Sequence, residues 1–250
     1  VRGSIYHDVL QRLYESCRGR VPATVPLEEA QETAAALLEE AFARLVRSGT
    51  PSGLVVAEQA RAAKILARHL RLHFADSEWI PSHFEVSFGR VKERSDDPCN
   101  RAEPVVLQSA CGPVRLAGKI DRIDVQNQSL RIIDYKTSVH VSHGVIEDGI
   151  SLQLPLYALV VEEHLLPGYE CAQAVLLEIG AKKTRECLNR DGKAGGKRLT
   201  WPEREEMVRR RVGEYVQGIR RGEFPPRPYE GKPCAWCPFE RACRYEKARV

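Results

Sequence analysis

The segment GKIDRIDVQNQSLRIIDYKTS, residues 118 to 138, constrains the fold more than any other part of the chain. Two runs rich in isoleucine and valine flank the short polar tip Asn127-Gln128, the pattern of an antiparallel hairpin. With those two residues as the loop, Val125 faces Leu130, Ile123 faces Ile132 and Asp121 faces Asp134. One face is then aliphatic along its length and ends in two carboxylates with Cβ atoms about 5 Å apart. Lys136 follows on that face, because side chains alternate along a strand. A slip of one residue would send the whole set to the other face, so this register is a definite expectation.

Two carboxylates at the end of an apolar face repel each other unless a proton or a cation joins them. A hard divalent ion that takes oxygen ligands, Mg²⁺ or Mn²⁺, is the natural occupant. Lys136 beside it can orient or help deprotonate a water, or neutralise charge developing on a phosphate. The set suits phosphodiester hydrolysis. The competing reading is a structural Asp-Lys pair at a sheet end.

Composition removes other classes. With 250 residues, 43% hydrophobic and 29% charged, the chain suits a globular domain with a sizeable core rather than a disordered segment. Its richest apolar runs, such as Leu152 to Val161, fall short of the roughly 20 residues a membrane helix needs. The N-terminal VRGSIYHDVLQRLYE has no unbroken apolar stretch and does not read as a secretory signal, so a cytoplasmic location without membrane partners is expected. The single methionine is Met207, so Val1 is not a translation start and a longer parent polypeptide is expected. A balance of 38 Lys+Arg against 34 Asp+Glu gives +4, too small to demand a polyanion by itself, and the Arg-rich helical runs read as solvated faces.

Spacing predicts helices over Ser4 to Ser16, Leu27 to Arg47, Leu54 to Phe74, Ile150 to Leu166 and Thr200 to Gly222. The last of these opens with a capping box, Thr200 and Glu203. Strands are expected where Phe84, Val86 and Phe88 alternate with Glu85 and Ser87, over Val114 to Val125 and Ser129 to Thr137 in the hairpin, and over Ala172 to Ile179. Arg94 to Pro104 reads as a polar loop.

Asp121, followed by Asp134-Tyr135-Lys136, resembles the PD-(D/E)xK nuclease superfamily, in which an acid and an acid-x-Lys lie on neighbouring strands. Three further motifs resemble its RecB-like branch, nearest to the AddB-type helicase/nuclease. They are Gly3-x-x-x-His7, Gln153-x-x-x-Tyr157 and Cys234-x2-Cys237-x5-Cys243. The match runs from residue 3 to 243 in the family's order. The resemblance implies a restriction-endonuclease-like α/β core, a small mixed sheet flanked by helices. It divides the single domain into a helical insertion at about 24 to 80, a nuclease core at about 81 to 222 and a Cys-rich C-terminal lobe at about 223 to 250.

The same resemblance implies roles. His7, Asp121 and Asp134 would bind the metal with the backbone carbonyl of Tyr135, and Lys136 would act on water or the transition state. Gln153 and Tyr157, one helical turn apart, would support the site or contact DNA. Glu85 resembles an acidic position that some relatives carry, which a polar strand face explains equally well. Cys234, Cys237 and Cys243 would hold a [4Fe–4S] cluster whose fourth ligand lies upstream of Val1 or is Cys17. Since no cysteine precedes His7, an incomplete cluster is expected here. The implied activity is metal-dependent cleavage of DNA as the nuclease module of a helicase–nuclease repair protein. The runners-up are a CRISPR-associated RecB-like nuclease with such a cluster and a non-catalytic DNA-binding module.

Overall fold

The computed structural model describes residues 2–47, 51–74, 78–89, 96–139, 141–181, 185–190, 199–225, 228–229, 234 and 237–239. Three N-terminal helices, α1 (Arg2–Ser16), α2 (Leu27–Arg47) and α3 (Ser52–His73), precede the first strand. A five-stranded mixed sheet follows, built from β1 (Ile80–Phe88), β4 (Gly118–Gln126), β5 (Ser129–Lys136), β6 (Glu170–Glu178) and β7 (Arg185–Asn189), adjacent in that order. Between β1 and β4 the short hairpin β2 (Val105–Ser109) and β3 (Gly112–Leu116) forms a separate two-stranded sheet. The described residues also form helices α4 (His143–Glu147) and α5 (Gln153–Val160), between β5 and β6, and α6 (Trp201–Arg221) after β7.

The sheet is antiparallel except for β5 and β6, which run parallel and therefore need the crossover through α4 and α5 between them. Apolar side chains leave it on both sides. One core joins Ile133, Tyr135, Val175 and Leu177 to the buried faces of α1, α2 and α3; the other joins Ile123, Leu130, Ile132 and Ala174 to α5. A third, smaller cluster seats Met207, Val208 and Val212 of α6 against Leu107 and Val114 of the β2–β3 hairpin. These layers are the mixed sheet flanked by helices that the resemblance implied.

The hairpin keeps the expected register. Ile123 pairs with Ile132 and Val125 with Leu130, and Asn127 takes a positive φ of 54° in the turn. The backbone ladder ends at Arg122 and Ile133, one step before the acids. There the Asp121 carboxylate accepts the Tyr135 N–H at 2.9 Å, so a side chain takes over from the ladder.

Strand β1 departs from simple alternation. Phe84 enters the helical core whereas Val86 and Phe88 enter the opposite one, so the three residues expected on one face are split. Opposite them, Ile120 and Arg122, also two apart, part in the same way, since Arg122 reaches Tyr14 and Tyr135 on the helical side. The switch falls at Glu85, whose φ of 50° is left-handed, a costly conformation for a residue with a Cβ. A second irregularity, between Pro81 and His83, lies just upstream.

Other differences have local causes. The helix expected through Leu166 is regular only to Val160 and widens into a π-turn over Val161–Leu165. Strands β2 and β7 and helix α4 are too short to carry a strong periodic signal, and β7 falls where only a loop is expected. The strand expected over Val114 to Val125 is broken at Ala117 into β3 and β4, which belong to different sheets. Helix α6 matches its expectation: the Thr200 N–H donates to Glu203 Oε2 at 2.8 Å and Gly222 closes the helix at φ 70°. Among the described residues no helix is long and apolar enough to cross a membrane.

Candidate active site

Five elements, α1, β1, β4, β5 and α5, bring polar side chains together at one end of the β4–β5 hairpin. Helix α1 buries Ile5, Tyr6, Val9, Leu10 and Leu13 in the helical core, which leaves His7 on the flank that meets the strand ends. His7 Nε2 stands 3.0 Å from the carbonyl oxygen of Tyr135, and Nδ1 stands 3.4 Å from Asp121 Oδ2. The hydrogen bond to Asp121 holds the imidazole above its ordinary pKa, with burial opposing. Both ring nitrogens thus face oxygen donors that suit a hard cation.

Glu85 completes that group. Ligand atoms of His7, Glu85 and Asp121 all lie within 4.8 Å of one another. The left-handed backbone at Glu85 and the face switch across β1 and β4 bring its carboxylate to this end. Lys119, preceding Asp121 by two residues, pairs with Glu85 through its ammonium. The sequence offered Glu85 only as an ordinary polar strand residue or a family-like acid; its positive φ was the signal that no residue pattern displays.

Asp134 sits beside this group and is held by other partners. Gln153 Nε2 donates to Asp134 Oδ1 at 2.9 Å, and Lys136 Nζ approaches Oδ2 at 2.6 Å. Oδ2 is shielded from solvent and lacks a hydrogen bond of good geometry despite that ion pair. Burial raises the Asp134 pKa, Lys136 works against the rise and the nearby Asp121 charge adds to it. A cation between the two carboxylates would relieve this repulsion, and imidazole, carboxylate and carbonyl donors fit Mg²⁺ or Mn²⁺.

Tyr157, one turn beyond Gln153, points elsewhere. Its ring meets Phe88 edge-on at 6.2 Å between centroids and packs against the sheet core. Gly118 lies beneath these rings, where a Cβ would come within 2.7 Å of Phe88 Cζ and 3.3 Å of Tyr157 Cε1.

Behind the hairpin end lies a charge network that the sequence did not announce. Arg122 is buried, donates to Asp124 Oδ2 at 2.9 Å and to the Tyr135 hydroxyl at 3.0 Å, and stacks 3.7 Å over the Tyr14 ring. Arg131 reaches the same Asp124 oxygen at 2.6 Å. Asp124 is fully enclosed, and two guanidiniums compensate its one carboxylate. This network grips the Tyr135 side chain whose backbone faces His7.

A cleft of about 910 Å³ opens from Gly3, His7 and Glu85 and runs along α1 to Arg18 and Asp97. Arg12, Arg44 and Lys119 also line it, although Arg12 and Arg44 are paired with Glu40 and Asp8. The cysteine motif is largely out of view. Cys237 N–H donates to the Cys234 carbonyl at 3.3 Å, whereas Cys243 lies outside the described residues. Cys17 is 2% exposed within the helical core, packed as a small apolar side chain.

The family model for the PD-(D/E)XK nuclease superfamily matches residues 1–244. The chain belongs to that superfamily. Two curated relatives, each named as a component of an ATP-dependent helicase/deoxyribonuclease, align over part of it. The protein of Carboxydothermus hydrogenoformans is 41% identical over 93 residues, 35% of this chain and 8% of the relative. That of Desulforudis audaxviator is 33% identical over 121 residues, 46% of this chain and 9% of the relative. The aligned parts thus span less than a tenth of either relative's length.

Proposed function

We propose that this PD-(D/E)XK domain is a Mg²⁺- or Mn²⁺-dependent deoxyribonuclease and serves as the nuclease module of a helicase–nuclease repair protein. The observation that carries this reading is the meeting of His7 from α1, Asp121 from β4, Asp134 and Lys136 from β5 and Gln153 from α5 at one strand end. The names of the two partial relatives support DNA as substrate and a helicase as partner.

In this reading His7, Asp121, Asp134 and the Tyr135 carbonyl hold the cation, with Glu85 as a further ligand. The ion supplies an acidified water and neutralises charge on phosphate oxygens. The chain's own groups do the rest. Gln153 fixes one oxygen of Asp134, which leaves the other turned toward Lys136. The Lys136 ammonium is held beside the carboxylate, where it orients the attacking water and offsets the charge that grows on phosphorus-bound oxygen as water adds. Lys119 restrains the Glu85 carboxylate at the mouth of the cleft. An acidic strand end beside an anionic backbone serves catalysis and would weaken a module that only binds DNA.

End-labelled single- and double-stranded DNA, incubated with Mg²⁺, Mn²⁺ or EDTA, tests this. Metal-dependent cutting by the native chain and its loss in Asp121→Ala, Asp134→Ala and Lys136→Ala, all still folded, is the expected result. Cutting that survives in folded Asp134→Ala would refute the site assignment.

A further inference from the structure

A second cluster of metal-ligating side chains lies on the outer edge of the sheet. Asp97 and Cys99, in the loop that follows β1, meet His83 on β1 itself, and ligand atoms of the three lie within 4.8 Å of one another. His83 Nδ1 is 3.0 Å from Asp97 Oδ1 and 3.4 Å from Cys99 Sγ. One ring nitrogen can give a proton to only one of these two acceptors, or accept one proton itself. A shared cation satisfies all three at once.

The geometry points to a zinc-type site formed by His83, Asp97 and Cys99 that clasps the loop after β1 to the edge of the sheet. With bonds of about 2.0 Å to nitrogen and oxygen and about 2.3 Å to sulfur, a tetrahedral site has ligand–ligand edges of roughly 3.3 and 3.5 Å. The observed separations of 3.0 and 3.4 Å need little adjustment to reach those values. The donor set of imidazole, thiolate and carboxylate selects zinc over the Mg²⁺ expected at the oxygen-rich centre. The carboxylate is already oriented: the Cys99 N–H donates to Asp97 Oδ1 and the Phe84 N–H to Oδ2, each at 3.0 Å. Arg18 adds a contact to Oδ2 at 3.5 Å. A strand irregularity between Pro81 and His83 adjoins the imidazole.

Position gives the clasp its purpose. Strand β1 is an edge strand, and the loop lies along it: Arg101 N–H donates to Ser87 O, Ser87 N–H to Asn100 Oδ1 and Gly89 N–H to Arg101 O. The metal would pin the near end of this cover two residues from Glu85, on the wall of the cleft that begins at His7.

The test needs no variant. The chain is stripped with a chelator, then treated with iodoacetamide with or without Zn²⁺, and alkylation is followed cysteine by cysteine by peptide mass spectrometry. Zn²⁺ is expected to slow alkylation of Cys99 at least about tenfold, with the original rate restored by chelator and unaffected by Mg²⁺. An unchanged Cys99 rate overturns the proposal, whatever Cys234 and Cys237 do. As a second measurement, Cys99→Ser should lose one equivalent of bound Zn²⁺ and part of the sulfur-to-metal absorption of the Co²⁺ form; equal stoichiometry in the two proteins would likewise overturn it. Neither readout depends on nuclease activity.

Discussion

His7 Nε2 and the Tyr135 carbonyl oxygen, 128 positions apart in the chain, stand 3.0 Å from each other. That contact joins the first helix to the central hairpin and brings an imidazole to the strand end that carries Asp121 and Asp134. It makes α1 part of the site. His7→Ala is expected to lower apparent Mn²⁺ affinity by about 10- to 100-fold while leaving the thermal transition within a few degrees of the native chain, checked by calorimetric metal titration beside a melting curve.

In the proposed site Gln153 acts through Asp134. Replacing it by leucine removes the 2.9 Å hydrogen bond and frees the carboxylate to rotate toward Lys136. A drop in kcat of about 10- to 100-fold is expected with little change in KM for DNA. A substrate-contacting role for Gln153 would instead raise KM, so steady-state kinetics separates the two.

Arg122 is the keystone of the buried charge network. Arg122→Leu leaves Asp124 with Arg131 as its remaining guanidinium and removes the bond to the Tyr135 hydroxyl. Stability should fall by about 3 to 5 kcal/mol, measured by urea unfolding. The change lies outside the proposed metal ligands, so any folded fraction should still bind Mn²⁺.

His69 makes the helical core acid-sensitive. It is fully buried between His73 and Tyr135, and burial depresses its pKa from 6.5 to about 3. The folded chain therefore keeps the ring neutral, whereas the unfolded chain takes up a proton as pH falls below about 6.5. Stability from this residue is complete above that value and declines toward the folded pKa. Between pH 7 and pH 5 the loss amounts to about 2 kcal/mol. The His69→Gln chain, which retains an acceptor for the Gly180 N–H, should show a smaller difference between the two pH values in urea titrations.

Gly118 is fixed by space. A Cβ there would press on the buried Phe88 ring, so Gly118→Ala should cost about 1 to 3 kcal/mol and disturb the seat of Tyr157. Circular dichroism melts of the two proteins check this, and the reversal by Phe88→Leu in the same chain would locate the cause.

Much of the centre was legible because it is local. Asp121, Asp134 and Lys136 lie on one hairpin whose register follows from a two-residue tip and an aliphatic face, and strands repeat every two residues without outside help. The helices were legible for the same reason, their apolar stripes recurring with the helical period. Phe84, Val86 and Phe88 show where this fails. Their spacing is that of a regular strand, yet one left-handed residue between them splits the set over two cores.

The sequence by itself determined the hairpin, its acids and its lysine, since each depends only on neighbours along the chain and on the preference of apolar side chains for one face. Tertiary structure alone decided that Glu85 joins His7 and Asp121, that Gln153 rather than Tyr157 holds Asp134, that Arg122 is buried against Asp124, and that His83 meets Cys99. Those relations depend on how α1, β1 and α5 pack around the sheet, and packing is fixed by the joint burial of residues far apart in the chain, which no local period encodes.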